Sequence, residues 1–578
     1  MNQLTKTLPF LVLWICTLVA YPQNKQDQTT ICNPMNLSYR FCSDPPSRRE
    51  AADPTMVTYK GEYYLFASKS GGYFHSTDLI HWDLITTGDL PLEDYAPTVV
   101  VMNDTLYFMA SKNDPPLTIY KTANPKSGKW EIANPAFPIG MTDPDLFVDD
   151  DGRLYFYYGC SNVNPIYAVE LEPKTLNPIG KPVAVINSDR KNYGWERSGD
   201  YNEVGNNPWI EGSWMTKHDG KYYLQYAGPG TEYKSYSDGV YVSDKPLGPF
   251  KLSANNPISY KPEGFVAGAG HSSTFQDKYG NYWHISTMTI SQKHMFERRL
   301  GLFPTFFDQN GEMHVYTGFG DFPFKVPTKK ITDPTELFPN WMLLSYNKPV
   351  EVSSELPNHP KNLATNEDIR TYWSAKTGDK GEWISMDLQT ECTINAIQIN
   401  YAENETKIMG RQPDIYYQYL LEYSGDGKTW KTLTDKTRNQ TDVPHDYIEL
   451  TKPVKARFIK LTNYKVPSGT FALSGLRVFG NGSGKAPSEV RYFKLKRSET
   501  DRCVVDLSWT KIPGAVGYNI RYGTSKDKLF QNYQVLGANS LIIRSLNALQ
   551  KYYFTIDAFN GNGIVKGKHT IELSEPSH

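Results

Sequence analysis

The stretch DPTMVTYKGEYYLFAS, residues 53–68, decides the fold of this chain because it is the first of five copies of one block. The other copies read APTVVVMNDTLYFMAS from Ala96, DPDLFVDDDGRLYFYYG from Asp143, EGSWMTKHDGKYYLQYAG from Glu211 and HSSTFQDKYGNYWHIST from His271. Each copy places an apolar or β-branched run, a turn and a Tyr- or Trp-rich run in the same order, which predicts a β-hairpin. Helical periodicity is scarce between the copies.

The spacing of the copies indicates a β-propeller. They begin 43, 47, 68 and 60 residues apart, and a four-stranded blade needs about 40–50 residues. The segments between copies, such as YFHSTDLIHW at residues 73–82, supply outer-strand signals. We therefore predict a five-bladed β-propeller over residues 30–340, in which equivalent positions of every copy surround one axis.

Two further β domains are predicted after the propeller. Apolar and polar residues alternate in WISMDL, INAIQINYA and ARFIKLTNY, which predicts a β-sandwich over residues 344–480. NGSGKAP has the composition of a linker, and strands recur at regular spacing over residues 485–578. In that last stretch Leu546, six residues before Tyr552, resembles the tyrosine corner of immunoglobulin-like sandwiches. The predicted fold class is all-β, a five-bladed β-propeller followed by two β-sandwich domains.

Composition and charge exclude some classes of partner. The 578 residues include 40 Tyr and carry a formal net charge of −1. No polybasic tract is present in the sequence, so nucleic acid is not an expected partner. High aromatic content with a polar surface suits β domains with sugar-facing clefts. An oligo- or polysaccharide is therefore the predicted partner, and the oligomeric state is left open.

The N-terminal residues predict export. Lys6 precedes an apolar run at residues 8–20 that is too short to span a bilayer and is typical of a secretory signal peptide. We predict a signal peptide at residues 1–20, no membrane insertion, and a periplasmic or extracellular location. Lipid attachment at Cys16 is disfavoured because Trp14 and Ile15 stand where small residues are expected.

The remaining cysteines do not form a metal motif. They stand at positions 32, 42, 160, 392 and 503, without a CxxC or a Cys/His metal spacing. In an oxidising compartment Cys32 and Cys42 can pair across a short loop. The others are expected to be buried free thiols. No cofactor is required by these patterns.

Three of the five copies open on a carboxylate, at Asp53, Asp143 and Glu211. Hydrolysis of a glycosidic bond needs one carboxyl group that protonates the leaving oxygen and one that activates water or attacks the anomeric carbon. A third acid can raise the pKa of the proton donor and orient it. Glu211 stands in the aromatic setting WIEGSW, where partial desolvation is expected to hold a proton near neutral pH. The alternatives are that Asp-Pro pairs merely start strands, and that Asp145 replaces Asp143; the DDDG run at 149–152 is typical of a hairpin turn.

Histidine, arginine and tryptophan residues add candidates for substrate contact. His271 opens the fifth copy and either contacts substrate, lies beside an ion at the propeller axis, or is a structural histidine. Arg298 and Arg299 follow in ERRLGLFP, and one of them is expected to reach the site. Trp195 and Trp214 either stack on a sugar face or pack in the core.

These strings together resemble glycoside hydrolase family 43, a family of five-bladed arabinofuranosidases and xylosidases. The resemblance rests on AADPTMVTYKGEYYLFAS, HSTDLIHW, TDPDLFVDDDGRLYFYYG, IEGSWMTKHDGKYYLQYA, GAGHSSTFQDKYGNYWH and RRLGLFP, and covers about residues 40–330. It implies that Asp53 is the general base, Asp143 the pKa modulator and orienting acid, Glu211 the general acid and Arg298 the substrate-facing arginine. His271 would match a histidine near the axis that lies close to a calcium or sodium ion in some relatives. Inversion of configuration is also implied, with the acid and base roughly 6.5–9.5 Å apart and a water between them.

The domains after the propeller carry resemblances of their own. The second domain resembles discoidin-type sandwiches such as carbohydrate-binding module family 32, through TNEDIRTYWSAKTGDKGEWISMDL. Two roles stay open for it, sugar binding through variable loops and a structural spacer. The last domain resembles fibronectin type III, which implies a spacer.

The predicted activity is that of an exported, inverting exo-glycosidase that removes a terminal furanosyl or pentosyl residue from polysaccharide or glycan. α-L-Arabinofuranosidase is the leading prediction, with β-xylosidase and β-galactofuranosidase as alternatives. An alternative of another class is a catalytically silent propeller that binds glycan, with the sandwiches adding avidity. The insertion NYGWERSGDYNEVGNNPW, residues 192–209, is predicted to narrow the funnel and so to favour exo action.

Overall fold

The computed structural model describes residues 28–91, 95–112, 114–140 and 143–573. In these residues helix is confined to short 3-10 turns at Pro125–Ser127, Gly194–Glu196, Pro334–Leu337 and Lys361–Thr365. The predicted all-β class, a five-bladed β-propeller followed by two β-sandwiches, is confirmed. The predicted signal peptide, residues 1–20, and Cys16 lie outside the described residues. None of the described helices has the length and apolarity that a membrane span needs.

Each propeller blade is an antiparallel sheet of four strands in chain order. The strands before the first blade are β1 (Thr30–Ile31), β2 (Arg40–Phe41) and β3 (Arg49–Glu50). Blade I contains β4 (Ala52–Tyr59), β5 (Glu62–Ser68), β6 (Tyr73–Ser76) and β7 (Asp83–Ile85). Blade II contains β8 (Tyr95–Met102), β9 (Thr105–Ser111), β10 (Leu117–Thr122) and β11 (Glu131–Phe137). Blade III contains β12 (Asp145–Val148), β13 (Leu154–Tyr158), β14 (Ile166–Leu171) and β15 (Pro178–Ile186).

The last two blades follow the insertion. Blade IV contains β16 (Glu211–His218), β17 (Lys221–Gly228), β18 (Ser237–Ser243) and β19 (Lys251–Leu252). Blade V contains β20 (Ala267–Gln276), β21 (Tyr282–Thr289), β22 (Arg298–Phe307) and β23 (Met313–Val315). The short strand β24 (Phe324–Lys325) then returns to pair with β1. This pairing joins the two ends of the propeller chain.

The innermost hairpins close through residues with positive φ. Blade I turns through Lys60 (φ 51°) and Gly61 (φ 77°), and blade II turns through Asn103 (φ 49°) and Asp104 (φ 55°). Two successive positive φ values are the mark of a type I′ turn, whose twist matches that of the strands it joins. The turn residues of the repeat therefore set the register of the inner strands, and with it the position of every residue at the axis.

The second domain is an eight-stranded sheet folded into two layers. Its strands are β25 (Met342–Leu343), β26 (Val350–Val352), β27 (Trp373–Ser374), β28 (Trp383–Tyr401), β29 (Gln418–Ser424), β30 (Lys431–Asp435), β31 (His445–Lys465) and β32 (Ala472–Gly482). β28 and β31 pair along most of their length, and the pairing shifts register twice, first between Asp387 and Cys392. Bulges bend strands, so both long strands can pass from one layer to the other around the buried Trp373.

The third domain is a sandwich of a three-stranded and a five-stranded sheet. Its strands are β33 (Phe493–Arg497), β34 (Val505–Trp509), β35 (Gly517–Gly523), β36 (Gln531–Leu536), β37 (Ser540–Ile543), β38 (Tyr552–Asn560), β39 (Gly563–Val565) and β40 (Ile571–Leu573). The Tyr552 hydroxyl accepts a hydrogen bond from the Asn547 N–H at 3.0 Å, which is the contact of a tyrosine corner. The resemblance to fibronectin type III stays a prediction.

The first part of the insertion packs against the third domain. The Gly194 N–H donates to the Leu546 carbonyl at 2.9 Å, and Arg197 forms an ion pair with Asp501. A Cβ on Gly194 would lie 2.1 Å from the Arg544 carbonyl oxygen, so only glycine permits this approach. Residues 192–197 therefore contact the third domain, and the narrowing of the funnel by the insertion stays a prediction.

The second domain packs on the propeller through buried charges. Arg49 pairs with Asp442 at 2.7 Å and also with Glu403. Arg299 donates from Nε to His445 Nε2 at 2.8 Å. Both arginines are adjacent in sequence to residues that face the propeller axis, so this interface lies directly behind the site described below.

The cysteines in the described residues are free thiols. Cys32 donates to the Asp321 carbonyl at 3.3 Å and Cys42 to Glu50 Oε2 at 3.2 Å. The predicted option of a Cys32–Cys42 disulfide is therefore not realised. Burial raises the pKa of each of these two thiols to about 12, which keeps them protonated.

Candidate active site

The site forms where the inner strands of the blades begin. Four residues there have left-handed backbone conformations: Asp53 (φ 52°), Ala96 (φ 44°), Asp143 (φ 58°) and His271 (φ 44°). Strand pairing shifts register at this point in blades I, II and V, which marks a β-bulge. The left-handed region costs a non-glycine residue about 1–2 kcal/mol, and bulges re-aim side chains next to active sites.

A hydroxyl group of the preceding blade holds three of these four left-handed positions. The N–H groups of Asp53, Ala96 and Asp143 donate to hydroxyl oxygens at 2.8, 2.7 and 2.5 Å. The acceptors are Thr287, Ser68 and Ser111. Each acceptor ends a copy of the repeat, so the repeat itself supplies the bonds that fix the strained positions.

Asp53, Asp143 and His271 meet at the axis. His271 Nδ1 lies 3.3 Å from Asp53 Oδ1 and 3.7 Å from Asp143 Oδ2. The Ser68 hydroxyl also donates to Asp53 Oδ2 at 2.6 Å. The two carboxyl groups are almost fully buried, whereas 12% of the histidine side chain is exposed. These predicted residues are therefore brought together.

Glu211 reaches the same cluster from a different position in its strand than the repeat predicts. Strand pairing aligns Gly212, with φ 60°, with the three residues that meet at the axis, and Glu211 precedes that position by one residue. The predicted shared phase is therefore wrong for blade IV. Even so, side-chain oxygen or sulfur atoms of Glu211, Asp143 and Cys160 lie within 4.8 Å of one another.

Two residues that the sequence analysis did not single out hold Glu211. The Tyr236 hydroxyl donates to Glu211 Oε1, and Cys160 Sγ donates to Glu211 Oε2 at 3.1 Å. Burial, together with the charges of Asp143 and Glu211, strongly raises the pKa of the Cys160 thiol, so it acts as a neutral donor. The sequence offers one signal for Cys160: it directly follows the third copy, next to the position where the first two copies end on serine.

Arg298, rather than Arg299, faces the carboxylates. Arg298 Nη1 donates to Asp53 Oδ1 at 3.2 Å, and Nη2 donates to Glu50 Oε1 at 2.6 Å. Because side chains alternate along a strand, Arg299 points the other way, to His445 of the second domain. The choice that the sequence left open is thus decided by the position of each residue in β22.

The surroundings shift the pKa values of the two buried aspartates in opposite directions. Burial alone would raise the pKa of Asp53, but the charges of Arg298 and His271 and a serine hydrogen bond hold it below its ordinary value. Burial raises the pKa of Asp143 to about 7, and the charges of Glu211 and Asp53 add to this against the effect of His271. Burial opposes a charge on His271, yet the surrounding carboxylates raise its pKa. The site therefore favours an anionic Asp53, and it favours the protonated forms of His271 and Asp143.

Trp195 does not line the site, and sugar stacking by Trp214 stays a prediction. Trp195 is fully buried, with its ring centroid 5.3 Å from that of Tyr226, so sugar stacking by Trp195 is excluded and the core alternative is correct. The Trp214 indole donates to the Thr274 carbonyl at 3.0 Å. That bond ties blade IV to blade V three residues further along the strand than Glu211.

A different tryptophan stands at the rim. Trp209 lies two residues before Glu211 and is 45% exposed, the largest exposure that an aromatic ring near the site shows. Its N–H donates to the Pro229 carbonyl at 3.1 Å, which fixes the backbone. The sequence reasoning missed it because it stands inside the insertion and outside the repeat.

The side chains around His271 do not fit a calcium or sodium ion held by protein oxygens. Calcium takes about six to eight oxygen ligands. Among the described residues, the metal-type cluster at this end consists of Asp143, Glu211 and Cys160. Cys160 is a protonated thiol bonded to Glu211, and the surrounding carboxylates favour the protonated form of His271, which cannot bind a cation at the protonated nitrogen. The ion stays a prediction, and the mechanism proposed below has no step through it.

Comparison with known proteins assigns two regions of the chain. Residues 43–312 match the family described as Glycosyl hydrolases family 43, and residues 349–474 match the F5/8 type C domain. A xylosidase/arabinosidase of Butyrivibrio fibrisolvens is 26% identical over 268 residues, which cover 40% of this chain and 48% of that protein. The beta-D-galactofuranosidase xynD of Aspergillus niger is 23% identical over 312 residues, covering 48% and 83%. The non-reducing end alpha-L-arabinofuranosidase BoGH43B of Bacteroides ovatus is 25% identical over 322 residues, covering 50% and 54%.

The similarity is confined to part of each protein. The match spans about half the length of the first and third of these relatives. The family match over residues 43–312 contains Asp53, Asp143, Glu211 and His271, and it also contains both arginines of β22. Residues 43–312 of this chain are therefore a domain of glycosyl hydrolases family 43, and residues 349–474 are an F5/8 type C domain.

Proposed function

We propose that this protein hydrolyses the glycosidic bond of a terminal furanosyl or pentosyl residue on a polysaccharide or glycan, with inversion of configuration. α-L-Arabinofuranosidase is the activity we place first, with β-xylosidase and β-galactofuranosidase as alternatives. The names of the relatives support this range, since they include a xylosidase/arabinosidase, a galactofuranosidase and an arabinofuranosidase.

The observation that carries the proposal is that the surroundings lower the pKa of Asp53 and raise the pKa of Asp143. Asp53 is held as an anion by Arg298 and His271, whereas Asp143 and Glu211 are close enough for their charges to interact. Asp53 is therefore suited to accept a proton, and Asp143, whose pKa is raised by burial, is suited to retain one beside Glu211, which matches the two protonation states that inverting hydrolysis requires.

The mechanism follows from this division of roles. Asp53 accepts a proton from a water molecule as the water oxygen bonds to the anomeric carbon. Glu211 gives its proton to the glycosidic oxygen as the bond between that oxygen and the anomeric carbon breaks. Tyr236 and Cys160 donate to the Glu211 carboxylate that results. Asp143 orients Glu211, and Arg298 and His271 hold Asp53 in place.

Hydrolysis of a panel of aryl glycosides tests the proposal. The panel contains α-L-arabinofuranoside, β-D-xyloside and β-D-galactofuranoside, with wild type beside Glu211→Gln and Asp53→Asn. Asp150→Asn is a matched control, because the Asp150 side chain is 86% exposed in the hairpin turn of blade III. We expect one substrate to be cleaved by wild type and the control, with losses of about 10³-fold or more in the two site variants.

The stereochemistry and the negative outcome are equally informative. NMR of the first product formed should show the anomer opposite to the substrate, and retention would refute inversion. Turnover that survives in both site variants would refute the assignment of base and acid. No turnover on any substrate, with binding to a glycan array, would favour the silent glycan-binding propeller.

We also propose that the protein is exported to the periplasm or the cell exterior. The support is the apolar run at residues 8–20 after Lys6, which has the length of a signal-peptide core. N-terminal sequencing of protein recovered from the native host should begin near residue 21. Recovery of the full chain from the cytoplasm would contradict export.

A further inference from the structure

A cavity of about 530 Å³ opens beside the active site, between three loops of the propeller. The walls are the second part of the insertion (residues 199–204), the blade IV loop with Glu232 and Tyr233, and residues 291–295 of blade V. This space is called the rim cavity below. Its volume lies within the range of about 300–1,000 Å³ that small-molecule sites occupy.

The walls of the rim cavity are continuous with the catalytic residues. Thr231, the neighbour of Glu232, accepts a hydrogen bond from Arg298 Nη1 at 3.2 Å. Tyr236, three residues after Tyr233, donates to Glu211. A molecule in the rim cavity therefore lies next to the place between Asp53 and Glu211 where the glycosidic bond of a substrate would lie.

A residue of the second domain ties these walls together. Arg370 Nη1 donates to Asp200 Oδ2 at 2.7 Å, and Nη2 donates to the Glu232 carbonyl at 3.2 Å. The Arg370 carbonyl accepts from Gln292 Nε2 at 2.5 Å. One arginine thus contacts all three loops, and a site whose loops are cross-linked this way is organised before substrate arrives.

The lining has the chemistry of a site for a neutral sugar. Glu203 and Glu232 supply carboxylate acceptors for hydroxyl groups, while the oxygens of Asp200 already accept from Arg370 and from the Lys234 N–H. Tyr233 offers an aromatic ring, and Met295 is 47% exposed at the edge, so apolar C–H faces of a sugar also find contacts. The excess of carboxylates disfavours a negatively charged sugar.

The second cation of the cavity is already engaged. Lys293 Nζ donates to the Glu403 carbonyl of the second domain at 2.9 Å. Arg370 is likewise paired, with Asp200. Neither charge is therefore free to bind an acidic group, so the lining favours an uncharged, hydroxyl-bearing ligand over an acidic one.

We propose that the rim cavity is the subsite for the leaving-group part of the substrate, an uncharged oligosaccharide, and that Arg370 of the F5/8 type C domain is its positioning residue. The proposal rests on the proposed function. It makes the second domain part of substrate recognition at the active site, and it makes the natural substrate a glycan with at least one sugar beyond the cleaved residue.

Kinetics on two substrates of different length test the subsite. One is the aryl glycoside that wild type cleaves, and the other is a neutral trisaccharide ending in the same sugar. For Arg370→Ala we expect KM for the trisaccharide to rise at least about tenfold more than KM for the aryl glycoside. Arg370→Lys should recover part of the loss, since it retains one charged donor. Arg457→Ala is the control, because Arg457 makes a comparable two-bond pair with Asp387 on the same domain.

A binding measurement separates this inference from the proposed function. In the Glu211→Gln background, calorimetry compares the affinity of the trisaccharide with that of the free monosaccharide, with and without Arg370→Ala. Selective weakening of trisaccharide binding supports the subsite even if wild type hydrolyses nothing, which would refute only the proposed function. Equal effects on both ligands and both substrates, or no effect of Arg370→Ala on the trisaccharide, would overturn the inference.

Discussion

A Cβ placed on Gly212 would lie 2.6 Å from Cγ of His271. Gly212 occupies in blade IV the position that Asp53, Asp143 and His271 occupy in their own blades. A side chain at that position in blade IV would collide with the imidazole ring at the axis. The blade therefore presents its acid, Glu211, from the residue before, and the glycine leaves the space that the histidine fills.

Gly212→Ala should displace His271 and lower activity. The substitution adds the clash to the strain of a residue at φ 60°, so we expect a loss of about 1–3 kcal/mol in unfolding free energy and a fall in kcat of about tenfold or more. Gly152→Ala is the matched control, because Gly152 has φ 82° with no atom within 4 Å of its added Cβ. Thermal melts and kinetics on the aryl glycoside check both variants. Equal losses in the two alanines would mean that backbone strain, and not the histidine, explains the effect.

Asp143→Asn should lower activity and should raise the stability of the folded protein at high pH. Burial raises the pKa of Asp143 to about 7, so the stability that its protonated form contributes is complete below about pH 4 and is lost as pH rises through about 7. Above that pH the folded protein contains a buried, crowded carboxylate, which asparagine removes. We expect the variant to be more stable than wild type at pH 8, on the order of 2 kcal/mol, with no gain at pH 4.

The measurement is the difference in melting temperature between variant and wild type across that range. Asp150→Asn, on an exposed side chain, should show no pH-dependent difference. A constant difference for Asp143→Asn from pH 4 to pH 8 would contradict the raised pKa. Hydrolysis should fall sharply in the Asp143 variant at either pH, since the orienting acid is lost.

The repeat predicted the parts of the site that the propeller symmetry governs. Asp53, Asp143 and His271 stand at one phase of the repeat and share a left-handed backbone there, and threonine or serine acceptors hold the first two. The number of blades and the all-β class followed from the same repeat. Glu211 was predicted correctly as a site residue, but its predicted position in the repeat was wrong. The copies were aligned with Glu211 opposite Asp53, whereas in the structure Gly212 occupies that position and Glu211 precedes it by one residue.

Contacts between distant segments could not be predicted from the sequence. Tyr236 lies in a loop of blade IV, and its bond to Glu211 depends on how that loop folds back. Trp195 is of a residue type that often stacks on sugars, yet the 3-10 turn around it packs on the third domain and its ring is buried. Arg370 belongs to another domain altogether, and the sequence carries no periodic signal that joins it to Asp200.

Cys160 should support the acid as a hydrogen-bond donor. Cys160→Ala removes the donor to Glu211 Oε2, and we expect kcat/KM to fall by about 5–20-fold. Cys160→Ser keeps a donor of similar shape and should retain activity within about threefold of wild type. Cys392→Ala, a buried thiol of the second domain, is the control for loss of a cysteine. Equal activity in the alanine and serine variants would exclude the hydrogen-bonding role.

The same thiol should resist alkylation. Its pKa is raised by burial and by the neighbouring carboxylates, and the thiolate is the form that reacts with iodoacetamide. Mass spectrometry after treatment of the folded protein at pH 8 should find Cys160 unmodified, whereas the unfolded chain should be labelled there. Rapid labelling with loss of activity in the folded protein would show that the thiol ionises.

Arg298 should determine the acidic limit of activity. Its guanidinium lies 3.2 Å from Asp53 Oδ1 and is one of the groups that hold the pKa of Asp53 below its ordinary value. A base must be ionised to act, so loss of this charge should move the acidic limb of the kcat/KM profile to higher pH. Arg298→Lys keeps a charge and should shift the limb less than Arg298→Ala.

The lowered pKa of Asp53 also predicts how the stability of the Arg298 variants depends on pH. Because the pKa of Asp53 is lowered in the folded protein, its ion pair contributes stability above its ordinary pKa of about 4, and this contribution is lost as pH falls through the folded value. Arg298→Ala leaves Asp53 and Glu50 buried without that partner, which costs about 3–5 kcal/mol at neutral pH. Melting curves at pH 7 confirm folding before the pH profiles are compared. An acidic limb that stays in place in a folded, active Arg298→Ala protein would show that His271 and the Ser68 hydroxyl alone keep Asp53 ionised.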